Sequence, residues 1–276
     1  MNYRHAFHAG NFADLVKHAT LLAMMHSLIR EAGALQIIDT HAGAGAYDLR
    51  GEAATKSGEA QAGIVRLMAD TGAPAAFASL KAAVRALNPG GTVHLYPGSP
   101  LLIAGALRPG DRYLACELRP DDHATLAQAL KPYPGAGTRQ ADGYATAAQA
   151  LDPSLRNLVL IDPPFEAADD YARIAAAARA ILAKRPKAAI AVWVPLKDLE
   201  TFDALLRRLE DSGVADLLVA EARLRPLTEP MKMNGCAMLL INPPAGLDAP
   251  LTDIVQWVAR TLGHAGGSGK VWRPVA

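Results

Sequence analysis

LVLIDPPFEAADDY, residues 158–171, decides the fold. Four apolar residues run straight into an acid, two prolines and an aromatic ring. An apolar run of that length, bounded by breakers, is a strand buried on both faces. Pro163 and Pro164 end it, because neither can donate to a sheet ladder. YARIAAAARAILAKR (171–185) follows as an alanine-rich helix, and AAIAVWVPL (188–196) as a second continuous apolar strand. Strand, helix and strand in that rhythm predict a parallel sheet covered on both sides. INPPA (241–245) nearly repeats the breaker, so one copy could serve chemistry and the other only punctuation.

Upstream, apolar residues from Ala13 to Leu28 recur at helical spacing over 11–32, and Gly33 stops the helix. LQIID (35–39) is a short buried strand, interrupted by the small residues and glycines of HAGAGAYDL. Residues 50–95 hold no clean strand, only short amphipathic helices such as IVRLMAD and AFASLKAAVRALN, and read as an inserted helical piece. The expected domains are therefore a core of 1–49 with 96–276 and an insertion of 50–95. Alternation resumes with strand 113–118, helix 121–131, and a short strand and turn at 138–143. Downstream come helix 199–213, the strands in DLLVAEARLRP and CAMLLINPP, a last helix in LTDIVQWVARTLG and a glycine-rich tail. The last two strands have no helix between them and should form an antiparallel hairpin. A mostly parallel, Rossmann-like sheet of seven strands ending in such a hairpin is the arrangement of class I S-adenosylmethionine-dependent methyltransferases, although dehydrogenases share most of it.

Composition limits the alternatives. The chain has 276 residues, 51% hydrophobic and 20% charged, with a net charge of +1, so no global basic field marks it for nucleic acid and any positive surface must be local. Cys116 and Cys236 are the two cysteines, too few for a disulfide framework, which suits a reducing cytoplasm. The polar start MNYRHAFHAGNF cannot be a signal segment, and ATLLAMMHSLI is too short to span a bilayer. A protein with no membrane association is expected, as a monomer.

Ligands of open α/β sheets bind beyond the carboxyl ends of the strands, so chemistry is sought there. Asp39-Thr40-His41-Ala42-Gly43-Ala44-Gly45 follows the first strand, its glycines allowing close backbone approach. A dinucleotide fingerprint would need glycine at position 48, which is Asp48; the loop suits a smaller nucleoside such as S-adenosylmethionine. Glu117, at the next strand end, could accept from ribose hydroxyls. Asp142-Gly143 is a third polar terminus, suited to an adenine amino group. Each alone reads as a solvated acid or a turn; the three in order carry more weight.

The tetrapeptide at 162–165 then fits a specific demand. An exocyclic adenine amine is a poor nucleophile because its lone pair is delocalised into the ring. Acceptors on its two hydrogens localise that pair: Asp162 supplies a carboxylate, and Pro163, with φ locked, supplies a carbonyl held at a fixed angle. Phe165 can stack on a base drawn out of its helix. At 241–245, Ala245 offers no ring and the strand belongs to the hairpin, so that copy is read as a terminator.

Together, YRHAFHAGNFADLVKH (3–18), DTHAGAG (39–45), YPGSP (96–100), ADG (141–143) and IDPPF (161–165) resemble the RlmJ family of bacterial 23S ribosomal RNA adenine-N6 methyltransferases. The resemblance runs through most of the chain, and its N-terminal stretch is specific; the DPP-aromatic motif alone is shared with other amine methyltransferases. It implies that His18, His41, Ser99, Glu117, Asp142, Gly143 and Asp162 contact S-adenosylmethionine, that Lys17 neutralises the methionine carboxylate, and that Tyr3 meets the RNA; Gly43 of the glycine loop is expected with the cofactor set, and Arg4 and His5 beside Tyr3 with the RNA. It also implies that the insertion is a small helical subdomain. Phe165 stands where a tyrosine is usual; stacking survives that change and a hydroxyl contact does not.

Histidines 5, 8, 18 and 41 lack carboxylates at ligand spacing, so no metal is expected. Arg207 and Arg208 are diluted by Glu200, Asp203, Glu210 and Asp211 into a solvated face. Arg223, Arg225 and Lys232, near the hairpin, are better candidates for phosphate. The expected reaction is direct methyl transfer without a covalent intermediate, since no cysteine belongs to the strand-end set. The rivals are an amine methyltransferase acting on DNA adenine or protein glutamine, and a non-catalytic RNA-binding assembly factor on the same fold.

Overall fold

The computed structural model describes residues 7–228 and 232–274. Tyr3, Arg4 and His5 lie outside the described residues. The chain begins with α1 (Phe12–Arg30), whose first turn is capped by Asn11: its side chain accepts from the backbone N–H of Ala13 and Asp14. β1 (Leu35–Asp39) is followed by the short β2 (Ala46–Asp48). Then come α2 (Glu52–Ser57), a π-helical turn over Gln61–Val65, α3 (Arg66–Ala69), α4 (Ala78–Leu87) and β3 (Leu95–Pro97). The rest alternates strictly: α5 (Ser99–Gly105), β4 (Arg112–Cys116), α6 (Pro120–Leu130), β5 (Ala136–Arg139), α7 (Gly143–Gln149), β6 (Arg156–Ile161), α8 (Asp170–Lys184), β7 (Ala189–Leu196) and α9 (Leu199–Asp211). It closes with β8 (Leu217–Arg223), β9 (Gly235–Ile241), α10 (Asp248–Thr261) and β10 (Ser268–Trp272).

The main sheet runs β10-β8-β9-β7-β6-β1-β4-β5. From β7 to β5 every pairing is parallel, with β1 flanked by β4 and β6. The strand order therefore reverses beside β1, which opens a crevice at the carboxyl ends there. β9 is antiparallel to both β7 and β8, which is the expected methyltransferase arrangement with its terminal hairpin.

Two expectations change. The sheet has eight strands among the described residues, not seven, because the glycine-rich tail contains β10, antiparallel to the outer edge of β8. And the segment after β1 does not pass directly into helices: β2 pairs with β3 across the intervening residues, Ala46 opposite Pro97, so the helices between them rise from a two-stranded neck. α5, following β3, then occupies the place of the first crossover helix.

Side chains alternate across the sheet into two cores, as strand geometry requires. Ile37, Leu158, Leu160 and Ala191 pack with α1, α4, α6 and α10 on one face; Ile38, Val159, Ile161 and Val192 pack with α7, α8 and α9 on the other. α8 turns Ile174, Ala175, Ala177, Ala178 and Ile181 inward, its three alanines letting the helix lie close to the sheet between the two isoleucines.

Candidate active site at the carboxyl edge of the sheet

Parallel register brings the predicted residues to one edge. Asp39 ends β1, Glu117 follows β4, Asp142 caps the helix after β5, and Asp162 follows β6. α1 crosses behind them and contributes the buried Asp14, Lys17 and His18. Lys17 Nζ donates to Asp162 Oδ2 at 2.6 Å and pairs with Asp14 Oδ1 at 2.9 Å, one helical turn away on α1. The Asp14 Oδ2 accepts from the backbone N–H of Gly10 at 2.8 Å. The Lys17 ammonium is thus engaged with carboxylates on both sides and holds the Asp162 side chain in place.

Asp39 is fully buried and lies in the field of both Asp162 and Lys17. Burial, and then the charge of Asp162, push its pKa up to about 6, against a hydrogen bond from Ser99 Oγ at 2.7 Å. Tyr113 Oη donates to the same oxygen at 3.3 Å. Among the described residues, Asp14, Asp39 and Asp162 lie around Lys17, a surplus of carboxylates at the crevice that suits a cationic ligand.

His18 is buried beneath this cluster, its Nδ1 2.7 Å from Tyr96 Oη. His41 bonds Thr40 Oγ1 through Nδ1 at 2.7 Å and meets the edge of the Tyr144 ring. Burial lowers its pKa to about 4, so it is a neutral imidazole near pH 7. Gly43 takes φ +66° and donates its N–H to Glu117 Oε2 at 2.9 Å, while Glu117 Oε1 accepts from the Arg119 N–H at 2.8 Å. A carboxylate has about four lone-pair sites, so two oxygens so held can still accept from hydroxyls. Beside it Leu118 is 65% exposed, an apolar surface next to an acid.

Asp142 caps α7 by accepting from the Tyr144 N–H at 2.9 Å, and its other oxygen pairs with Arg173 of α8. The Arg173 guanidinium lies 4.4 Å over the Tyr144 ring. Gly143 is required by close approach, since a Cβ there would stand 1.9 Å from the Thr40 carbonyl oxygen. α7 can abut the β1 loop only through a residue without a side chain.

Phe165 sits at φ +53°, a left-handed conformation that bulky residues rarely adopt. Its half-buried ring packs against Tyr171 and Trp193, with centroids 5.0 and 5.7 Å away. Cys116, one residue before Glu117, is fully buried, and burial pushes its thiol up to about 11, so it is no nucleophile. Of the candidate phosphate contacts, Arg223 pairs with buried Glu221, Arg225 is half-buried and Lys232 is exposed. Arg223 is in register with Gly235, which also faces Leu196, so the group borders the same edge.

Asp14, Leu118, Tyr144 and Arg173 carry no mark in the sequence reading, and Asp39 enters it only as the first residue of the glycine loop, without a role of its own. The Asp14–Lys17 spacing was a legible signal for one of them. Asp39 was hidden because an acid ending a strand resembles any solvated terminus. Residues fitting S-adenosylmethionine are nevertheless together: an acid and an apolar surface for a nucleoside, close-approach glycine backbone, and surplus negative charge for a sulfonium.

The family model described as ribosomal RNA large subunit methyltransferase D, RlmJ, matches residues 32–274. Ribosomal RNA large subunit methyltransferase J of Escherichia coli K12 is 32% identical over 267 residues, covering 96% of this chain and 95% of that protein. The protein of the same name from Haemophilus influenzae is 33% identical over 264 residues, covering 95% and 94%. The crystal structure of protein LPL1258 from Legionella pneumophila superposes with a TM-score of 0.89 at 27% identity, covering 96% of this chain and 98% of that one.

Proposed function

The chain belongs to the RlmJ family of ribosomal RNA large subunit methyltransferases, and on that premise we propose that it methylates the N6 amine of an adenine in 23S ribosomal RNA. It is an S-adenosylmethionine-dependent enzyme, and that cofactor, when bound, supplies an electrophilic methyl group. Glu117 and Leu118 hold its nucleoside, with Gly43 and Gly143 giving room for close approach and Ser99 fixing Asp39 at the crevice floor. The surplus carboxylates favour its cationic end.

Asp162 carries the reading: a carboxylate at the end of β6, fixed by Lys17 at 2.6 Å and followed three residues on by a ring held in an aromatic cluster. The carboxylate accepts one amine hydrogen and the Pro163 carbonyl the other, which localises the nitrogen lone pair for in-line attack. Phe165 stacks on the flipped base. Arg225 and Lys232 at the neighbouring edge contact RNA phosphates. Tyr3, Arg4 and His5 would complete the RNA contact, and residues 50–95 form the added helical subdomain. The same reading places the work in the cytoplasm, by a single chain without a metal.

The test is transfer of labelled methyl from S-adenosylmethionine to ribosomal RNA taken from cells lacking the gene, followed by mass mapping. A single N6-methyladenine in the large-subunit RNA is expected. Label entering DNA or a protein glutamine, with none in RNA, would replace this reading with one of its rivals.

A further inference from the structure

The inserted helices reach the catalytic carboxylate through an unbroken chain of hydrogen bonds. Glu59 stands between α2 and the π-helical turn, distant in sequence from Asp162. Its Oε2 accepts from Asn11 Nδ2 at 2.9 Å, and its carboxylate bonds His8 Nδ1 at 3.0 Å. Asn11 is the cap of α1. With its amide nitrogen held by Glu59, its Oδ1 faces the helix and accepts from the N–H groups of Ala13 and Asp14 at 2.9 and 3.0 Å. Asp14 then accepts from the Gly10 N–H and pairs with Lys17, and Lys17 pairs with Asp162. The π-helical turn presses on the same bend, where the Ile64 N–H donates to the Gly10 carbonyl at 2.8 Å. Asn11, Asp14 and Lys17 are all buried, so the middle of the path is shielded from water and has little freedom to relax alone, while its two ends at Glu59 and Asp162 are partly buried.

We propose that Glu59 of the insertion is a positioning residue for methyl transfer, acting through Asn11, Asp14 and Lys17 on the Asp162 carboxylate. The inference rests on the reading of Asp162 as acceptor of the target amine. Glu59 itself touches neither cofactor nor substrate. Its effect is on where Lys17 sits, and therefore on which way the Asp162 oxygens point when an amine arrives. Small errors of placement at a reacting centre are costly in rate. The insertion is thereby wired to the chemical step and is not merely an attachment to the core.

The experiment uses the full chain, S-adenosylmethionine and large-subunit ribosomal RNA transcribed in vitro, with Glu59→Ala, Glu59→Gln, Asp14→Asn, Asp162→Asn and the Glu59→Ala/Asp14→Asn pair. Glu59 is half-exposed, and its alanine variant should fold with the wild-type melting temperature. Glu59→Ala should lower kcat by about tenfold, within the range of side-chain coupling energies, with KM for RNA and Kd for S-adenosylmethionine unchanged. Glu59→Gln should restore most of that loss, since Asn11 needs an acceptor and not a charge. On the Asp14→Asn background, Glu59→Ala should add nothing, because both act through one path. Wild-type kcat in Glu59→Ala, a loss that multiplies with Asp14→Asn, or an equal loss of cofactor affinity would overturn the inference. If Asp162→Asn keeps full activity, the reading of Asp162 itself has failed; if it is inactive while Glu59→Ala is unaffected, only the positioning role has.

Discussion

Two proline pairs end two strands of one sheet, alike in three of five residues and different in almost everything around them. Ile161-Asp162-Pro163-Pro164-Phe165 follows β6, and Ile241-Asn242-Pro243-Pro244-Ala245 follows β9. Both place a non-glycine residue at positive φ, Phe165 at 53° and Asn242 at 48°. β6 is parallel to its neighbours, so its breaker opens at the ligand-binding edge. β9 is antiparallel to β7, with Ile241 opposite Ile190 near the start of that strand, so its breaker lies at the far edge. There Asn242 is a staple: its Nδ2 donates to the carbonyls of Pro186 and Ala188, both at 2.9 Å, and its own N–H to Asp216 at 3.0 Å. Asparagine tolerates the left-handed region; phenylalanine there costs roughly 1–2 kcal/mol, which its aromatic packing must offset. Strain of that kind collects at functional sites. Under the proposed function, strand direction is what separates the copy assigned to chemistry from the copy assigned to punctuation.

The largest expected effect comes from Asp162→Asn. The amide keeps an acceptor for Lys17 but can no longer offer a second anionic oxygen to the amine, and kcat should fall by about 10³-fold, the scale of losing a preorganised electrostatic contact. Calorimetry should find cofactor binding retained. Near-wild-type turnover would erase the contrast between the two strand ends.

Asp39 shows that the ligand-binding edge stores a cost. Its pKa is raised from 3.8 to about 6, chiefly by burial. The folded state therefore favours the protonated acid, and this contribution to stability is present below about pH 4 and lost as pH rises through 6. Above pH 6 the ionised group opposes folding by up to ~3 kcal/mol. Asp39→Asn should accordingly be more stable than wild type at pH 7.5, with the difference fading toward pH 4. His41, lowered to about 4 by burial, pulls the other way as pH falls below 6.5, and cancels when variant and wild type are compared at each pH. Chemical denaturation at a series of pH values checks this; a gap independent of pH would refute it.

Phe165→Ala should lower kcat/KM for RNA by about 10- to 100-fold, the value of one stacked base, while Phe165→Tyr stays close to wild type. A smaller and opposite signature belongs to Asn242→Ala, which should cost about 1–3 kcal/mol of stability by leaving two carbonyls without their donor. Its kcat should not change. A loss of activity at constant stability would mean that the far edge also serves the reaction.

Much of this was legible in advance, because apolar runs bounded by breakers report burial directly. LQIID, LVLI and AAIAVWVPL became β1, most of β6 and β7 with small boundary shifts. What stayed hidden depends on distant partners. β2 is three residues whose pairing partner lies beyond the whole insertion, so no local pattern marks it. β10 is hidden in a glycine-rich tail, where glycine usually means loop, yet Gly269 is small for contact: a Cβ there would come within 2.4 Å of the Val255 backbone on α10. At the site, strand ends exposed Asp162, Glu117 and Asp142 to view. The pairing of Lys17 with Asp162 leaves no local trace, because a contact across 145 residues is a property of the fold.

The smallest expected effect is none at all, and it isolates strand direction most cleanly. Asn242→Asp with Ala245→Phe would write the same DPPF motif at the end of β9. In an Asp162→Asn background the new carboxylate would stand at the far edge, away from Lys17, Glu117 and the glycine loop. No methyl transfer should return in the labelled assay. The variant should lose stability, since aspartate cannot donate to the Pro186 and Ala188 carbonyls that Asn242 now serves. Recovered activity would mean that the motif works wherever it is placed; its absence, with cofactor still bound, leaves the carboxyl edge as what makes the first copy catalytic.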